Sequence, residues 1–367
     1  MKIFIIAGEP SGDEYGAILM KKLKEKNNSI QFIGIGGELM AKYGLSSMVP
    51  LKKMSVMGFA EVIKNISFFF RLQKDIISLI KFEKPDKIIL IDYPGLNLRL
   101  AAKIKSFTNT KIYYYISPQI WAWKEKRINK IKKYVDHMIV IFNFEVSWYK
   151  KRNLNVEYVG HPFLDILDNN NNEAFLDKYG LDLSKPILTL FPGSRNQELN
   201  KHLHLFESVA MKLKTKIPTL QILLGLNKNL TLQNKINEKI TVIEDEPLKA
   251  LEIANVAIVA SGTATLQAAI MKTRSVVVYK MNPVTWWFAK TFVHIKYASM
   301  ANIIANKEVF PELIQSNATT KNVYDAVLQM FENKELIAQL EKDLQEINKY
   351  IGKKGASQRA AEFILNN

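Results

Sequence analysis

The 367-residue chain is 48% hydrophobic and 23% charged, with no cysteine. That balance excludes a disordered or fibrous chain, and the missing thiols exclude disulfides, Cys-ligated zinc, iron–sulfur clusters and thiol nucleophiles. The length exceeds the roughly 250–300 residues that one core supports, and the 51 Lys and Arg against 35 Asp and Glu leave a net charge of +16, so two domains and an attraction to polyanions (nucleic acid or an anionic bilayer) are expected.

The opening run Ile3–Ala7 has five apolar residues, short of a signal-peptide core of about 7–15, and no window reaches the ~18 of a spanning helix. A cytosolic protein, or one lying on a membrane, is expected. Strands are predicted at Lys2–Ala7, Gln31–Ile35, Lys87–Ile91, Lys111–Ile116, His137–Ile141 and Val156–Val159, with helices over Asp13–Lys26, Met54–Phe82 and Leu96–Lys105 between them. Most of these strands are unbroken runs of Ile, Val, Tyr and Phe, as in strands buried on both faces of a parallel sheet. The run Asn169–Asn172 reads as a linker or loop tip. The rhythm restarts with strands at Pro186–Phe191, Leu220–Leu224, Thr241–Ile243, Val256–Ala260 and Ser275–Tyr279, and after Pro283 the chain reads as mostly helical. Two doubly wound α/β halves follow, with ligands expected beyond the carboxyl ends of the strands and in a cleft between the sheets.

Five strand ends carry candidate chemistry. Gly8-Glu9-Pro10-Ser11-Gly12-Asp13 is a tight turn into a helix whose N-terminus favours an anion. It matches neither dinucleotide nor Walker signatures, and Glu9 would repel phosphate. Asp92, in Asp92-Tyr93-Pro94-Gly95-Leu96-Asn97, is either a general base or a cap of the next helix. Ser117-Pro118-Gln119-Ile120-Trp121-Ala122-Trp123 precedes Lys124–Lys133, which has six basic residues against one acidic. The pair of tryptophans suits sugar, base or lipid contact, and the basic run equally reads as a solvated face. In the second half, Pro192-Gly193-Ser194-Arg195 and Ser261-Gly262-Thr263-Ala264-Thr265 are small-residue turns opening helices. Together they suit a nucleotide diphosphate, with Arg195 as a two-pronged clamp.

No Asp-x-Asp occurs, so leaving-group charge falls to Arg, amides and helix ends. Of the five histidines, His202 and His204 read as surface residues pointing apart on a helix, and His161 as a binding residue or a structural hydrogen-bond partner. Met281–Lys290, with Trp286 and Trp287, and Met54–Phe70, with Phe68, Phe69 and Phe70, read as either packing or interfacial anchors.

Taken in order, these motifs resemble the lipid-A-disaccharide synthases, bacterial glycosyltransferases of the GT-B fold. The resemblance runs through Gly8–Asp13, Val56–Val62, Ile91–Asn97, Ser117–Trp123, Gly160-His161-Pro162, Pro192–Arg195, Ala260–Leu266 and Asn302–Gln315. It implies two Rossmann-like domains, 1–167 on the acceptor side and 168–344 on the UDP-sugar side, with a helix at about 345–367 packing back on the first. It implies inverting transfer of 2,3-diacylglucosamine from its UDP donor to 2,3-diacylglucosamine 1-phosphate, giving a β-1,6 disaccharide and UDP, with no cofactor and no metal.

On the same resemblance Asp92, Arg195 and Glu9 are the catalytic candidates. Ser11, Asp13, Asn97, Ser194, Met281, Ser261, Gly262, Thr263, Ala264, Gln267, Asn302, Glu308 and Gln315 are the substrate-binding candidates. Met281 is expected near the uracil. Gln267 stands where the family usually has a ribose-gripping glutamate, so a neutral amide replaces a charged acceptor. Tyr93-Pro94-Gly95 replaces bulkier or acidic residues beside the base. The expected partners are the two lipid substrates and an anionic membrane, with a peripheral cytoplasmic location on the inner face of the inner membrane. A homodimer fits this reading; nucleic acid does not. A UDP-sugar 2-epimerase, a peptidoglycan N-acetylglucosaminyltransferase and a nucleic-acid-binding protein are the competing readings, the last favoured by charge alone.

Overall fold

The computed structural model describes residues 1–54, 66–122, 124–167, 172–227, 230–260, 262–282, 286 and 296–367. The chain forms two compact units, Met1–Asp168 with Ile351–Asn367, and Asn169–Tyr350. The motif Val56–Val62, Trp123, Ser261, Asn169–Asn171 and most of Met281–Lys290, Trp287 included, lie outside the described residues.

Unit one holds a seven-stranded sheet in the order β3-β2-β1-β4-β5-β6-β7. Its strands are β1 Lys2–Ala7, β2 Gln31–Ile35, β3 Ser46–Ser47, β4 Lys87–Ile91, β5 Lys111–Tyr115, β6 His137–Val140 and β7 Glu157–Tyr158, all parallel. Unit two holds a six-stranded parallel sheet in the order β10-β9-β8-β11-β12-β13. Those strands are β8 Ile187–Phe191, β9 Gln221–Gly225, β10 Ile240–Ile243, β11 Val256–Ala260, β12 Arg274–Tyr279 and β13 Glu312–Ile314. The apolar runs become strands because helices cover both faces: Phe4, Ile5 and Ile6 of β1 and Val256–Val259 of β11 have no solvent exposure.

In each sheet the strand order reverses once, between β1 and β4 and between β8 and β11. Helices leave opposite faces there, so the loops after those strands part and leave a crevice for ligands. Register makes the loops neighbours, since Ala7 pairs with Ile91 and Val259 with Phe191. Glu9 and Asp92 thus share one switch point, and Arg195 and the Gly262–Thr265 turn share the other.

Two elements differ from expectation. The stretch after Pro283 includes β13, a three-residue edge strand beside β12 that lacks an apolar run to announce it. The terminal helix is two helices, Lys334–Ile351 and Ala356–Asn366, broken where Gly352 (φ 94) and Gly355 (φ 93) adopt the left-handed backbone. The second packs against Pro10–Lys26, with Lys26 and Glu362 paired at 2.9 Å. Of the expected Met54–Phe82 helix, Met54 ends the helix Leu51–Met54 and Ile66–Phe82 lies in the helix Ile66–Glu83, while 55–65 lie outside the described residues.

Candidate functional site

In unit one the turn after β4 is made by two consecutive left-handed residues, Asp92 (φ 42) and Tyr93 (φ 44). Such backbone costs a β-carbon-bearing residue on the order of 1–2 kcal/mol and concentrates at functional sites. Asn97, on the helix Pro94–Ile104, holds the turn by donating to the Ile91 and Asp92 carbonyls at 3.1 and 2.8 Å, while Tyr114 Oη donates to the Asp92 carbonyl at 2.5 Å. The Tyr93 ring lies over Gly8, where a Cβ would come within 2.5 Å of it. Any larger residue at position 8 would therefore push the two loops apart.

The Asp92 carboxyl is lifted to about 7, first by burial, then by the Glu9 charge and, more weakly, by Glu145, with Arg127 opposing. A fully ionised aspartate would be a feeble base; one balanced near neutrality can take a proton and hold it. Glu145 was not singled out in the sequence. It is buried on the helix Asn143–Lys150, where it accepts from Trp121 Nε1 at 3.2 Å and from the Ile141 and Phe142 amides at 3.2 and 3.1 Å. Burial lifts it to about 7 in spite of those donors. Its neighbour Ser117 bonds Tyr149 Oη at 2.7 Å, so Glu145 fixes the Ser117–Trp121 segment from beneath. The sequence signal for it was a carboxylate directly after Phe144 at a strand end, indistinguishable from a helix-opening glutamate.

Several candidates turn inward. Asp13 spends its carboxylate on the Gly37, Leu39 and Met40 amides (2.7, 3.1 and 3.1 Å), opening the short helix Glu38–Ala41. Asn97 is wholly buried under the Asp92 turn, and Asn302 is wholly buried with both ends occupied. Asn302 accepts from the Val309 and Phe310 amides at 2.8 Å and donates to Phe310 O and Glu312 at 2.7 and 2.8 Å. Asp13 and Asn302 shape the loops with their polar atoms occupied, and Asn97 does so through its amide nitrogen while its Oδ1 is buried without a hydrogen-bond partner. His161 likewise accepts from the Phe163 amide at 3.1 Å and is pushed to about 3 by burial, which selects the structural reading.

In unit two, Gly193 (φ 126) makes the turn after β8, and Arg195 opens the helix Asn196–Lys216 with its side chain exposed. The Ser194 amide donates to Glu198 at 2.9 Å, and Glu198 also takes the Tyr279 hydroxyl at 3.3 Å and lies 3.9 Å from Arg195. Glu198 therefore sets the loop's shape. Beyond β11, Gly262 (φ 136) precedes the helix Thr263–Ile270, and Thr265 Oγ1 donates back to its carbonyl at 2.8 Å. Thr263 is exposed and Ala264 and Gln267 half-buried at this end. Met281 and Gln315 meet: the Met281 amide donates to the Gln315 side chain at 3.3 Å, and Gln315 has a left-handed backbone. Glu308 and Ser11 are solvent-reachable, Glu308 in the loop before β13.

His202 contradicts the surface reading. It is wholly buried, and its Nε2 accepts from the Lys280 amide at 2.9 Å, which leaves Nδ1 to donate to the Pro192 carbonyl at 2.8 Å. It ties the loop after β8 to the end of β12. Among the described residues no group of His, Asp and Glu has the arrangement of a metal site.

A profile of the family described as lipid-A-disaccharide synthetase matches residues 3–366. The lipid-A-disaccharide synthase of Coxiella burnetii (strain CbuK_Q154) is 36% identical over 99% of this chain and 98% of its own. That of Trichlorobacter lovleyi is 35% identical over 100% and 97%. Among solved structures, UDP-GlcNAc 2-epimerase from Neisseria meningitidis bound to UDP-GlcNAc superposes with a TM-score of 0.66 at 12% identity, covering 100% of both chains. The calicheamicin glycosyltransferase superposes with a TM-score of 0.62 at 12% identity, over 100% of this chain and 97% of that one. At such identities the structural likeness speaks for a GT-B-type fold alone.

Proposed function

The chain belongs to the lipid-A-disaccharide synthetase family, and on that premise we propose how its residues divide the family's reaction. It is a glycosyltransferase that moves 2,3-diacylglucosamine from its UDP donor to 2,3-diacylglucosamine 1-phosphate in lipid A biosynthesis. Inversion in one displacement needs a base for the acceptor hydroxyl and charge stabilisation for departing UDP.

Asp92 is the base. The observation that carries this is a carboxyl held near neutrality on a strained turn at a topological switch point. Glu9, close enough to raise it, orients the acceptor and keeps Asp92 from being permanently ionised. Ser11 lies in the first turn of the helix Pro10–Lys26, which Glu9 precedes. On the donor side Arg195 clamps the diphosphate and the Ser261–Thr265 turn supplies amides to it. Gln267 reaches the ribose, and the Met281–Gln315 pair bounds the uracil, with Glu308 beside it. Asp92→Asn tests the assignment. Turnover should vanish while UDP affinity by calorimetry stays within about twofold; lost UDP binding would give Asp92 a structural role.

We further propose peripheral attachment to the inner face of the inner membrane. The net charge of +16, the exposed Phe70 and Phe82 on Ile66–Glu83, and the exposed Lys130, Lys132 and Lys133 support it. Each cation near an anionic surface contributes about 1 kcal/mol. Among the described residues no helix is long and apolar enough to cross a membrane.

A further inference from the structure

Strands β4 to β7 end level with one another. The Asp92 amide donates to the Tyr115 carbonyl at 3.0 Å, the Ile116 amide to Ile139 at 3.1 Å and the Val159 amide to Val140 at 3.1 Å. Neighbouring strands lie about 4.8 Å apart, so the loop Ser117–Trp121 starts one strand spacing from Asp92 and the helix Asn143–Lys150 opens two spacings away. Two half-buried aromatic side chains meet there: the Trp121 and Phe144 rings have centres 5.0 Å apart and planes at 89°. A row of rings continues behind Phe144. Phe142 stacks on it at 5.5 Å, His161 lies 5.4 Å from Phe142, and Tyr15, on the helix that Glu9 precedes, meets His161 at a right angle at 5.8 Å. Phe142, His161, Tyr15 and the loop residue Ile120 are buried, so the Trp121–Phe144 corner is firmly backed and keeps an accessible side.

The two oxygens of Glu145 do different things. Oε2 accepts from the Ile141 and Phe142 amides at 3.2 and 3.1 Å, as a glutamate in the first turn of a helix ordinarily does. Oε1 takes the indole N–H of Trp121, 24 residues away in sequence, at 3.2 Å. A half-buried indole can give its N–H to water, whereas Glu145 is 1% exposed and burying a carboxylate is costly. What the bond adds is therefore orientation: with its N–H tied and Phe144 set against it at a right angle, the indole is held in one plane. A fixed plane matters to a rigid ligand and not to a fluid one.

We propose that the Trp121–Phe144 corner is the surface on which the acceptor's sugar ring stacks, and that Glu145 is the positioning residue that holds the indole for it. The inference rests on the function proposed above. A pyranose presents a rigid face of C–H groups, which an aromatic ring takes by dispersion and by the negative charge of its face. Acyl chains would be served by any apolar side chain and would leave the tether to Glu145 without purpose. A sugar held at the end of β5 lies one strand spacing from Asp92, so fixing the ring also fixes the approach of its hydroxyl to the base.

The test is steady-state kinetics in nonionic detergent, with acceptor and donor varied in turn. Trp121→Leu should raise the acceptor KM roughly tenfold and change the donor KM by less than about twofold, while Trp121→Phe, which keeps a ring, should raise the acceptor KM about threefold or less. In Glu145→Gln the amide oxygen can keep the two backbone donors, but the side-chain NH2 then faces the indole N–H. The acceptor KM should rise about fivefold with kcat little changed. The Trp121 indole ¹⁵N–¹H resonance, identified by its absence in Trp121→Phe, should move upfield. Adding Glu145→Gln to Trp121→Phe should cost nothing further, because phenylalanine has no N–H to lose; a merely structural Glu145 would cost the same in both backgrounds. Leucine serving as well as phenylalanine would give the corner to the acyl chains and overturn the proposal. So would equal rises in both KM values, or a Glu145→Gln penalty undiminished in the Trp121→Phe background. The two Trp121 variants decide the matter even if Glu145→Gln does not fold. A wild type that forms no disaccharide overturns the proposed function, and the corner with it; an active wild type with any of those contrary variant results overturns the corner alone.

Discussion

Asp92 acquires its chemistry from residues far away in sequence. Glu9 comes from beyond β1, Arg127 from beyond β5 and Glu145 from beyond β6, and the turn they surround is stiffened by Asn97 and Tyr114. Because its carboxyl titrates near 7, kcat/KM should rise about tenfold per pH unit below neutrality and level off above it. A flat profile from pH 5.5 to 8.5 would remove Asp92 as the base. Arg195→Ala should weaken UDP binding by about tenfold or more in calorimetry, since a charge-assisted contact to phosphate is lost. The position of Asp92 was legible, because a carboxylate ending an apolar strand run is conspicuous. The difference between ligand-facing and load-carrying polar residues was not. Asp13, Asn97 and Asn302 look like substrate contacts in one dimension, and only their remote backbone partners reveal what they do.

At the scale of elements, strand ends are held by buried polar side chains. Asn302 fastens the loop before β13, and Asn302→Ala would orphan the Val309 and Phe310 amides and the Phe310 carbonyl and remove one donor from Glu312. It should cost roughly 3 kcal/mol or more by chemical denaturation. Glu145 gives a pH signature. Its carboxyl is raised from 4.5 to about 7, so the folded state binds that proton more tightly than the unfolded chain does. The corresponding stability is full below 4.5 and is lost as pH rises through about 7. Glu145→Gln should accordingly show a smaller fall in Tm between pH 5 and 8 than the wild type. An equal or steeper fall would mean that the carboxyl is ionised in the folded protein. Continuous Ile, Val and Tyr runs made β1, β4, β8 and β11 plain in the sequence. Two-residue β3 and three-residue β13 draw their pairing from the sheet edge, so no local pattern marks them.

For the whole molecule, the sequence shows two α/β halves because each repeats strand and helix, and the resemblance adds the reaction that geometry alone leaves open. The charge of +16 is a property of the whole surface, and the membrane attachment proposed above predicts association with anionic lipid. Sedimentation with vesicles containing anionic phospholipid should show binding at about 0.1 M salt and release near 0.5 M, as screening shortens from about 10 Å to less than half of that. Phe70→Ser should weaken it further. Binding indifferent to salt would leave the basic excess without this role.

The most direct test of the central claim is mass spectrometry of the purified protein incubated in detergent and excess EDTA with UDP-2,3-diacylglucosamine and 2,3-diacylglucosamine 1-phosphate. The account predicts one disaccharide 1-phosphate per UDP released, made by the wild type and absent with Asp92→Asn. Unchanged substrates, or UDP released without any disaccharide, whether in EDTA or after adding Mg²⁺, would contradict it.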